Sequence, residues 1–288
     1  MTRDRRRTPA NGRVAATALR GEVAAERFTD GERRQVAVPV LDLFPAPGAD
    51  VRERQLLYGA EVTVYEEIDG RAFVAAAADG YVGYVDATAL GPASRATHIV
   101  SVPATHLYAL PEVKSQGGPL LSFGSRVRVV SASGDFFETD TGDFVPKPHV
   151  RPAALPFTDP VAVAQLFFGA PYRWGGNAIG GIDCSGLVQA ACRAADIPCP
   201  GDSDQQQAEA GTPLPPGTTP RRGDLIFWKG HVAIAVDAEV MIHANAHHMA
   251  VAYEPVAEGT ARIAEQGEGP VVALRRLHPP IAAADRSP

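Results

Sequence analysis

The chain has 288 residues, 45% hydrophobic and 21% charged, an ordinary balance for a globular protein with more than one domain. Its net charge of −6 argues against non-specific binding to nucleic acid, and makes an intact, strongly anionic cell wall a poor electrostatic match. No apolar run approaches a membrane span, and the three cysteines, Cys184, Cys192 and Cys199, are too few and too close for a disulfide framework.

Met1 to Arg7 is arginine-rich, and the following Thr8-Pro-Ala-Asn-Gly-Arg is polar. The apolar h-region of a secretory leader is missing there, which predicts a cytoplasmic protein. Val14, Ala15, Ala18, Leu19, Val23 and Phe28 suggest a short N-terminal helical segment over residues 1–32. From Gln35 onward, short apolar runs such as Glu61-Val-Thr-Val-Tyr and Tyr81-Val-Gly-Tyr-Val alternate with turn signals such as Asp69-Gly70 and Asp79-Gly80. Leu56-Leu-Tyr-Gly-Ala-Glu-Val-Thr-Val matches Leu121-Ser-Phe-Gly-Ser-Arg-Val-Arg-Val, with Gly59 opposite Gly124. This internal repeat predicts two small β-barrels, each of roughly 60 residues, over 33–92 and 93–154.

A proline-rich joint from Pro146 to Pro156 precedes a change of pattern. Residues 155–280 read as an α+β domain with a helix from Pro160, a second after Asp183 and strands from Asp224 to Ile242. Residues 281–288 read as a flexible tail.

The chemistry-bearing stretch runs from Tyr172-Arg-Trp-Gly-Gly to Ile182-Asp-Cys184-Ser-Gly-Leu-Val. Leu187, Val188, Ala191 and Ala195 recur at helical spacing, so Cys184 falls in the first turn of a helix, with Asp183 placed to cap it. The helix dipole there favours a thiolate. His231 and His243 follow in two β-like runs that can form a hairpin around Asp237-Ala-Glu239. In that register Val236 pairs with Val240 and Ala233 with His243, so His231 and His243 share a face as diagonal neighbours. A one-residue slip would separate them. The arrangement permits a nucleophile, a base and a group that orients the base. Read blandly, Cys184 is a small buried side chain, and Tyr172 and Trp174 are core aromatics. The glycine-flanked setting favours the catalytic reading of Cys184. Cys192 and Cys199 read as structural, His247 and His248 as loop residues, and the ligand spacing gives no metal site.

Asp183-Cys184-Ser-Gly-Leu-Val, with Gly223-Asp-Leu-Ile-Phe-Trp, Gly230-His231-Val-Ala-Ile and Ile242-His243-Ala in order behind it, resembles the NlpC-type papain-like cysteine peptidases. The two barrels resemble the bacterial SH3-like domains that often precede them. The fold this implies is α+β: a papain-like NlpC-type domain after two SH3-like barrels and a short helical segment. The resemblance implies Cys184 as nucleophile, His231 as base, His243 as orienting residue and Tyr172 as an oxyanion donor. It further implies substrate contacts at Asp183, Asp202, Ser203 and the barrel aromatic Tyr81, with Glu53 a weaker candidate.

The implied reaction is hydrolysis of the γ-D-glutamyl–diamino acid bond in small murein peptides with a free N-terminal L-alanine. This is cell-wall peptide recycling, without metal, cofactor, nucleic acid or membrane. One departure is visible: Gly201 stands before Asp202 where the family often has arginine. The rival readings are a thioester-forming acyl or γ-glutamyl transferase on the same site, and a catalytically inert SH3-like ligand-binding protein.

Overall fold

A computed structural model describes residues 3–278. The tail expected at 281–288 lies outside the described residues. The chain divides into two compact units, Met1–Ala154 and Leu155–Pro288. Among the described residues, no helix is long and apolar enough to cross a membrane.

The first unit begins with β1 (Val14–Ala16) paired in parallel with β2 (Arg27–Thr29). The expected N-terminal helix does not form; its place is taken by this pair and two 3-10 turns, Arg5–Arg7 and Thr17–Leu19. The reason is local and tertiary. The Asn11 side chain accepts from the backbone N–H groups of Arg13 and Val14, fixing a turn. Val14 then packs with Phe73, Val82 and Tyr84, and Arg13 pairs with Glu66 at 2.7 Å. Three successive buried residues, Val14 to Ala16, suit a strand covered on both faces and not one face of a helix.

The first barrel comprises β3 (Glu32–Val36), β4 (Val40–Leu43), β5 (Arg54–Leu57), β6 (Glu61–Ile68), β7 (Arg71–Ala76), β8 (Val82–Asp86) and β9 (Leu90–Pro92). Its main sheet runs β8-β7-β6-β3-β9, with β4 and β5 as a hairpin. Val36, Leu41, Leu43, Val62, Val74 and Val85 form the core. The second barrel comprises β10 (His98–Val100), β11 (Ala104–Tyr108), β12 (Gly117–Ser122), β13 (Arg126–Val127), β14 (Val129–Ser133), β15 (Phe136–Thr139), β16 (Phe144–Pro146) and β17 (Val150–Pro152). Val100, Leu107, Leu121, Val127, Val145 and Val150 fill it.

The sequence repeat is a repeat of hydrogen bonds. Gly59 N–H donates to Val36 O at 2.9 Å, and Gly124 N–H to Val100 O at 3.0 Å. Val36 N–H returns to Ala60 O, as Val100 N–H does to Ser125 O. Both glycines sit at positive φ, 73° and 84°, where a side chain is strained. The two copies touch through this motif: Arg126 N–H donates to Tyr58 O, and a Cβ on Gly59 would lie 2.1 Å from Arg126 O.

The second unit contains α1 (Pro160–Gln165), the short pair β18 (Asn177–Ala178) and β19 (Gly181–Ile182), α2 (Cys184–Ala194) and α3 (Ser203–Glu209). It continues with β20 (Thr212–Pro213), β21 (Asp224–Trp228), β22 (His231–Ala235), β23 (Val240–Asn245), β24 (Ala250–Pro255), α4 (Val256–Ile263) and β25 (Ala273–Arg276). Its antiparallel sheet has the order β20-β25-β21-β22-β23-β24. α2 is buried along Leu187, Val188, Ala191 and Cys192 and packs on α1, β22 and β23. Asp159 caps α1 through Val161 N–H, with Pro160 at the first helical position where no N–H is needed.

Candidate active site

The site grows from the N-terminus of α2. Asp183 is the N-cap: Oδ1 accepts from Gly186 N–H at 2.6 Å and from Ser185 Oγ at 3.0 Å, while Oδ2 accepts from Gly175 N–H at 2.9 Å. One carboxylate thus ties the glycine loop to the helix and leaves Cys184 at the first helical position. The fit between loop and helix depends on two glycines. A Cβ on Gly186 would sit 2.4 Å from Gly176 O, and one on Gly176 would sit 2.4 Å from Gly181 O. Gln206, fully buried on α3, donates to Ser185 O at 2.9 Å and Pro200 O at 3.0 Å. It fastens the loop carrying Gly201 and Asp202 to the first turn of α2.

Cys184 is buried, and burial dominates its acidity. Loss of solvation, with the charge of Asp183 second, pushes the thiol up to about 12. The backbone N–H groups of Val232, Ser185 and Cys184 itself pull the other way and lose. The backbone N–H groups at the helix start favour the thiolate, as the sequence predicts, and desolvation of the sulfur opposes them and is the larger effect. The N–H of Val232 nevertheless places the thiol beside the strand residue that follows His231.

The hairpin has the expected register. Val236 N–H donates to Val240 O at 2.8 Å, and Ala235 pairs with Met241 and Ile234 with Ile242. His231 Nε2 and His243 Nδ1 are 2.9 Å apart. His231 also packs on Trp228, with ring centroids 5.7 Å apart. Burial, then the neighbouring His243, lowers the His231 imidazole to about 3, and burial lowers His243 as well. Both rings are therefore neutral at physiological pH, paired with a neutral thiol.

His243 is fully buried, and its Nε2 lies 2.9 Å from Glu254 Oε2. Glu254 was not among the residues singled out in the sequence. Arg262 clamps it through Nε to Oε1 at 2.8 Å and Nη2 to Oε2 at 2.7 Å. This charge-assisted pair holds the carboxyl well below the usual carboxylate range, against the opposing effect of burial. His243, His248 and Glu254 place metal-type ligand atoms within 4.8 Å of one another. Both Glu254 oxygens accept from Arg262, and the His248 ring contacts Asn245 Oδ1 at 3.0 Å, so the cluster is built as a hydrogen-bond network beside a fixed cation.

Tyr172 sits at a bridge to Ile182. Burial raises its hydroxyl above the ordinary phenol value, and the neighbouring Cys184 and Asp183 add to the effect. It stays protonated, as an oxyanion donor must. Asp202 is the N-cap residue of α3, and Ser203 begins that helix. Trp174 is 66% exposed, so the core reading of this aromatic does not hold. Tyr81 and Glu53 belong to the first unit. Tyr81 packs into the first barrel's core with the Arg54 guanidinium 5.4 Å from its ring centroid, and Glu53 pairs with Arg5. Cys192 is paired with Cys199: the hydrogen bond between them, then burial, raises its thiol well above the ordinary value.

Residues 169–263 match the NlpC/P60 family, and residues 43–90 match the bacterial dipeptidyl-peptidase SH3 domain. A crystal structure of an NlpC/P60 family protein from Bacillus cereus superposes with a TM-score of 0.72 at 20% identity, covering 86% of this chain and 100% of that one. The chain thus carries an NlpC/P60 domain behind a bacterial SH3 domain. Among named relatives, the γ-D-glutamyl-L-lysine dipeptidyl-peptidase of Bacillus subtilis is 29% identical over 50% of this chain and 52% of its own length. Dipeptidyl-peptidase 6 of Lysinibacillus sphaericus is 36% identical over 30% of this chain and 31% of its own. A Mycobacterium tuberculosis protein named as an endopeptidase is 32% identical over 42% of this chain and 32% of its own. The match spans about half or less of each of these three relatives.

Proposed function

We propose that this protein is a cysteine peptidase that hydrolyses peptidoglycan peptides through a thioester on Cys184. The observation that carries the reading is the 2.9 Å contact between His231 and His243 on a strand pair packed against the helix that begins at Cys184. In this reading His231 takes the thiol proton as sulfur attacks the carbonyl carbon. It then gives that proton to the leaving amine, and water cleaves the thioester. In this reading the Cys184 N–H at the helix start and the Tyr172 hydroxyl donate to the developing oxyanion. A neutral thiol and neutral imidazole make this general-base attack, not attack by a preformed ion pair.

The finer reading is that the bond cut joins γ-D-glutamate to a diamino acid in short peptides with a free N-terminal L-alanine. Such peptides are intermediates of cell-wall recycling in the cytoplasm. Two relatives named as dipeptidyl-peptidases support reading from the N-terminus. Mass spectrometry of products from L-Ala-γ-D-Glu-L-Lys and its meso-diaminopimelate counterpart tests this, with Cys184→Ala as the blank. Capping the L-alanine amine by acetylation removes a charge and is expected to lower kcat/KM about tenfold or more. Equal rates on free and capped peptides overturn the N-terminal specificity and leave the peptidase assignment standing.

A further inference from the structure

The hydrogen-bond chain behind Cys184 crosses three strands. Across β23 and β24, Met241 pairs with Glu254 and His243 with Ala252, so Glu254 is the diagonal neighbour of His243 on the same face. His231 stands in the same diagonal relation to His243 across β22 and β23. Each contact in the series His231–His243–Glu254 measures 2.9 Å. α4 brings Arg262 onto Glu254, and Gly259 allows the approach: a Cβ there would lie 2.2 Å from Met241 Cε and 2.9 Å from Glu254 Cδ.

We propose that Glu254, held by Arg262, is a positioning residue that fixes the tautomer of both histidines, so that Nδ1 of His231 is the nitrogen that takes the Cys184 proton. This deepens the cysteine-peptidase reading above and rests on it. The argument is a count of protons. Arg262 only donates, and it occupies both oxygens of Glu254, which keeps the carboxylate ionised and able only to accept. The proton in the His243–Glu254 contact therefore sits on His243 Nε2. A neutral imidazole with that proton has its lone pair on Nδ1. The proton in the His231–His243 contact then comes from His231 Nε2. His231 is left with a bare Nδ1, the state required of a base. When the Sγ–H bond breaks and the sulfur–carbon bond forms, Nδ1 gains the proton. The resulting imidazolium still donates from Nε2 into a chain that ends on a negative charge. As the carbon–nitrogen bond breaks, the same proton leaves with the amine.

Without an acceptor at position 254, His243 can invert its tautomer. His231 would then carry its proton on Nδ1 and present a donor where a base is needed. This is a different failure from simple loss of packing, and it has its own signature. Long-range proton–nitrogen correlation spectra of the full chain labelled with ¹⁵N-histidine report the tautomer of each ring directly. His231→Ala and His243→Asn identify the two sets of signals. The wild type is expected to show both rings neutral and protonated on Nε2 at pH 7.5. Glu254→Leu should give His231 a population protonated on Nδ1 and lower kcat about a hundredfold or more, with KM little changed. Glu254→Gln retains an acceptor oxygen and should keep most of the wild-type tautomer and activity.

A wild-type His231 protonated on Nδ1, or His243 found as an imidazolium, overturns the proposal whatever Glu254→Leu does to folding. A folded Glu254→Leu protein with unchanged His231 tautomer and kcat overturns it as well. If the wild-type tautomers are as stated and no murein peptide is cleaved, the tautomer assignment stands and the peptidase reading fails.

Discussion

The two ends of α2 make an instructive comparison. Cys184 begins the helix and Cys192 lies near its other end, both buried and both with thiols held protonated. Acidity therefore does not separate the proposed nucleophile from the thiol read as structural. The difference is in the surroundings. At the first end lie a backbone turn of glycines, an N-cap carboxylate, a phenol and a strand carrying His231. At the other end the Cys192 thiol is hydrogen-bonded to the Cys199 thiol in place of an imidazole. Reactivity is assigned by what can accept the proton.

The largest expected effects remove the chemistry at the first end. Cys184→Ala should leave no measurable hydrolysis and an unchanged far-ultraviolet circular dichroism spectrum, since one small side chain replaces another. Substantial residual turnover would sink the thioester mechanism. His231→Ala should lower kcat roughly 10²–10⁴-fold, the usual contribution of a positioned general base. His243→Asn should cost less, because asparagine can still offer an oxygen to His231 Nε2–H. Equal effects at both positions would mean that the roles of base and orienting residue are wrongly divided.

A smaller but still large effect is expected from Gly186→Ala. The added methyl would meet Gly176 O at 2.4 Å, a backbone atom in a loop tied down by Asp183. Either the loop or the helix start must move, and the cost of such overpacking is about 1–3 kcal/mol. Activity should fall at least about tenfold, since displacing reacting groups by about an ångström can cost 10²-fold. Chemical denaturation with activity assays on the same samples checks both parts. An active, fully stable Gly186→Ala protein would show that the loop is not held in register with Cys184.

Much of this contrast was legible in the sequence. The three-residue Asp237-Ala-Glu239 loop set the hairpin register, and a slip by one residue would have put His231 and His243 on opposite faces. The cap at Asp183 followed from the residue type and the helix that follows it. The paired barrels were visible because Gly59 and Gly124 occupy positive-φ positions that few other residues tolerate. The N-terminal segment has a spacing that suits a helix locally, while the Asn11 turn and packing on Phe73 decide for a strand. Glu254 was hidden for a different reason. In sequence, Tyr253-Glu254-Pro255 carries no motif that sets Glu254 apart. Only the pairing of β23 with β24 and the approach of α4 turn it into the buried end of a histidine chain.

The pH dependence sharpens the comparison further. His231 and His243 both have folded-state acidities below the ordinary histidine value. Their contribution to stability is present above the unfolded value of about 6.5 and is lost as pH falls below it, down to about 3 for His231. Glu254 is likewise depressed, so its share is lost at still lower pH. Stability should therefore decline from pH 7 to pH 4, and His231→Ala should flatten the decline. With the thiol pushed up to about 12 and the imidazole down to about 3, both partners stay neutral across the working range. The acid limb of kcat/KM should fall below pH 6. An acid limb at or above the ordinary histidine value would show that His231 titrates as an exposed group.

The smallest effect is expected at the other end of the helix. Cys192→Ala removes one sulfur from a fully buried position and breaks its contact with Cys199. The loss of packing should cost about 1 kcal/mol, within the usual range for a single substitution. For a domain of this size that corresponds to a fall in Tm of about 2–4 °C. The kcat should be unchanged, because the Cys192 thiol bonds to Cys199 and not to Cys184, His231 or His243. Cys199→Ala should behave in the same way. A matched pair of thermal scans and rate measurements on Cys184→Ala and Cys192→Ala then separates the two ends. The first variant should lose activity without stability, and the second stability without activity. If Cys192→Ala instead lowers kcat while Tm holds, the far end of α2 is coupled to the site, and the division between a reactive and a packing thiol on one helix is wrong.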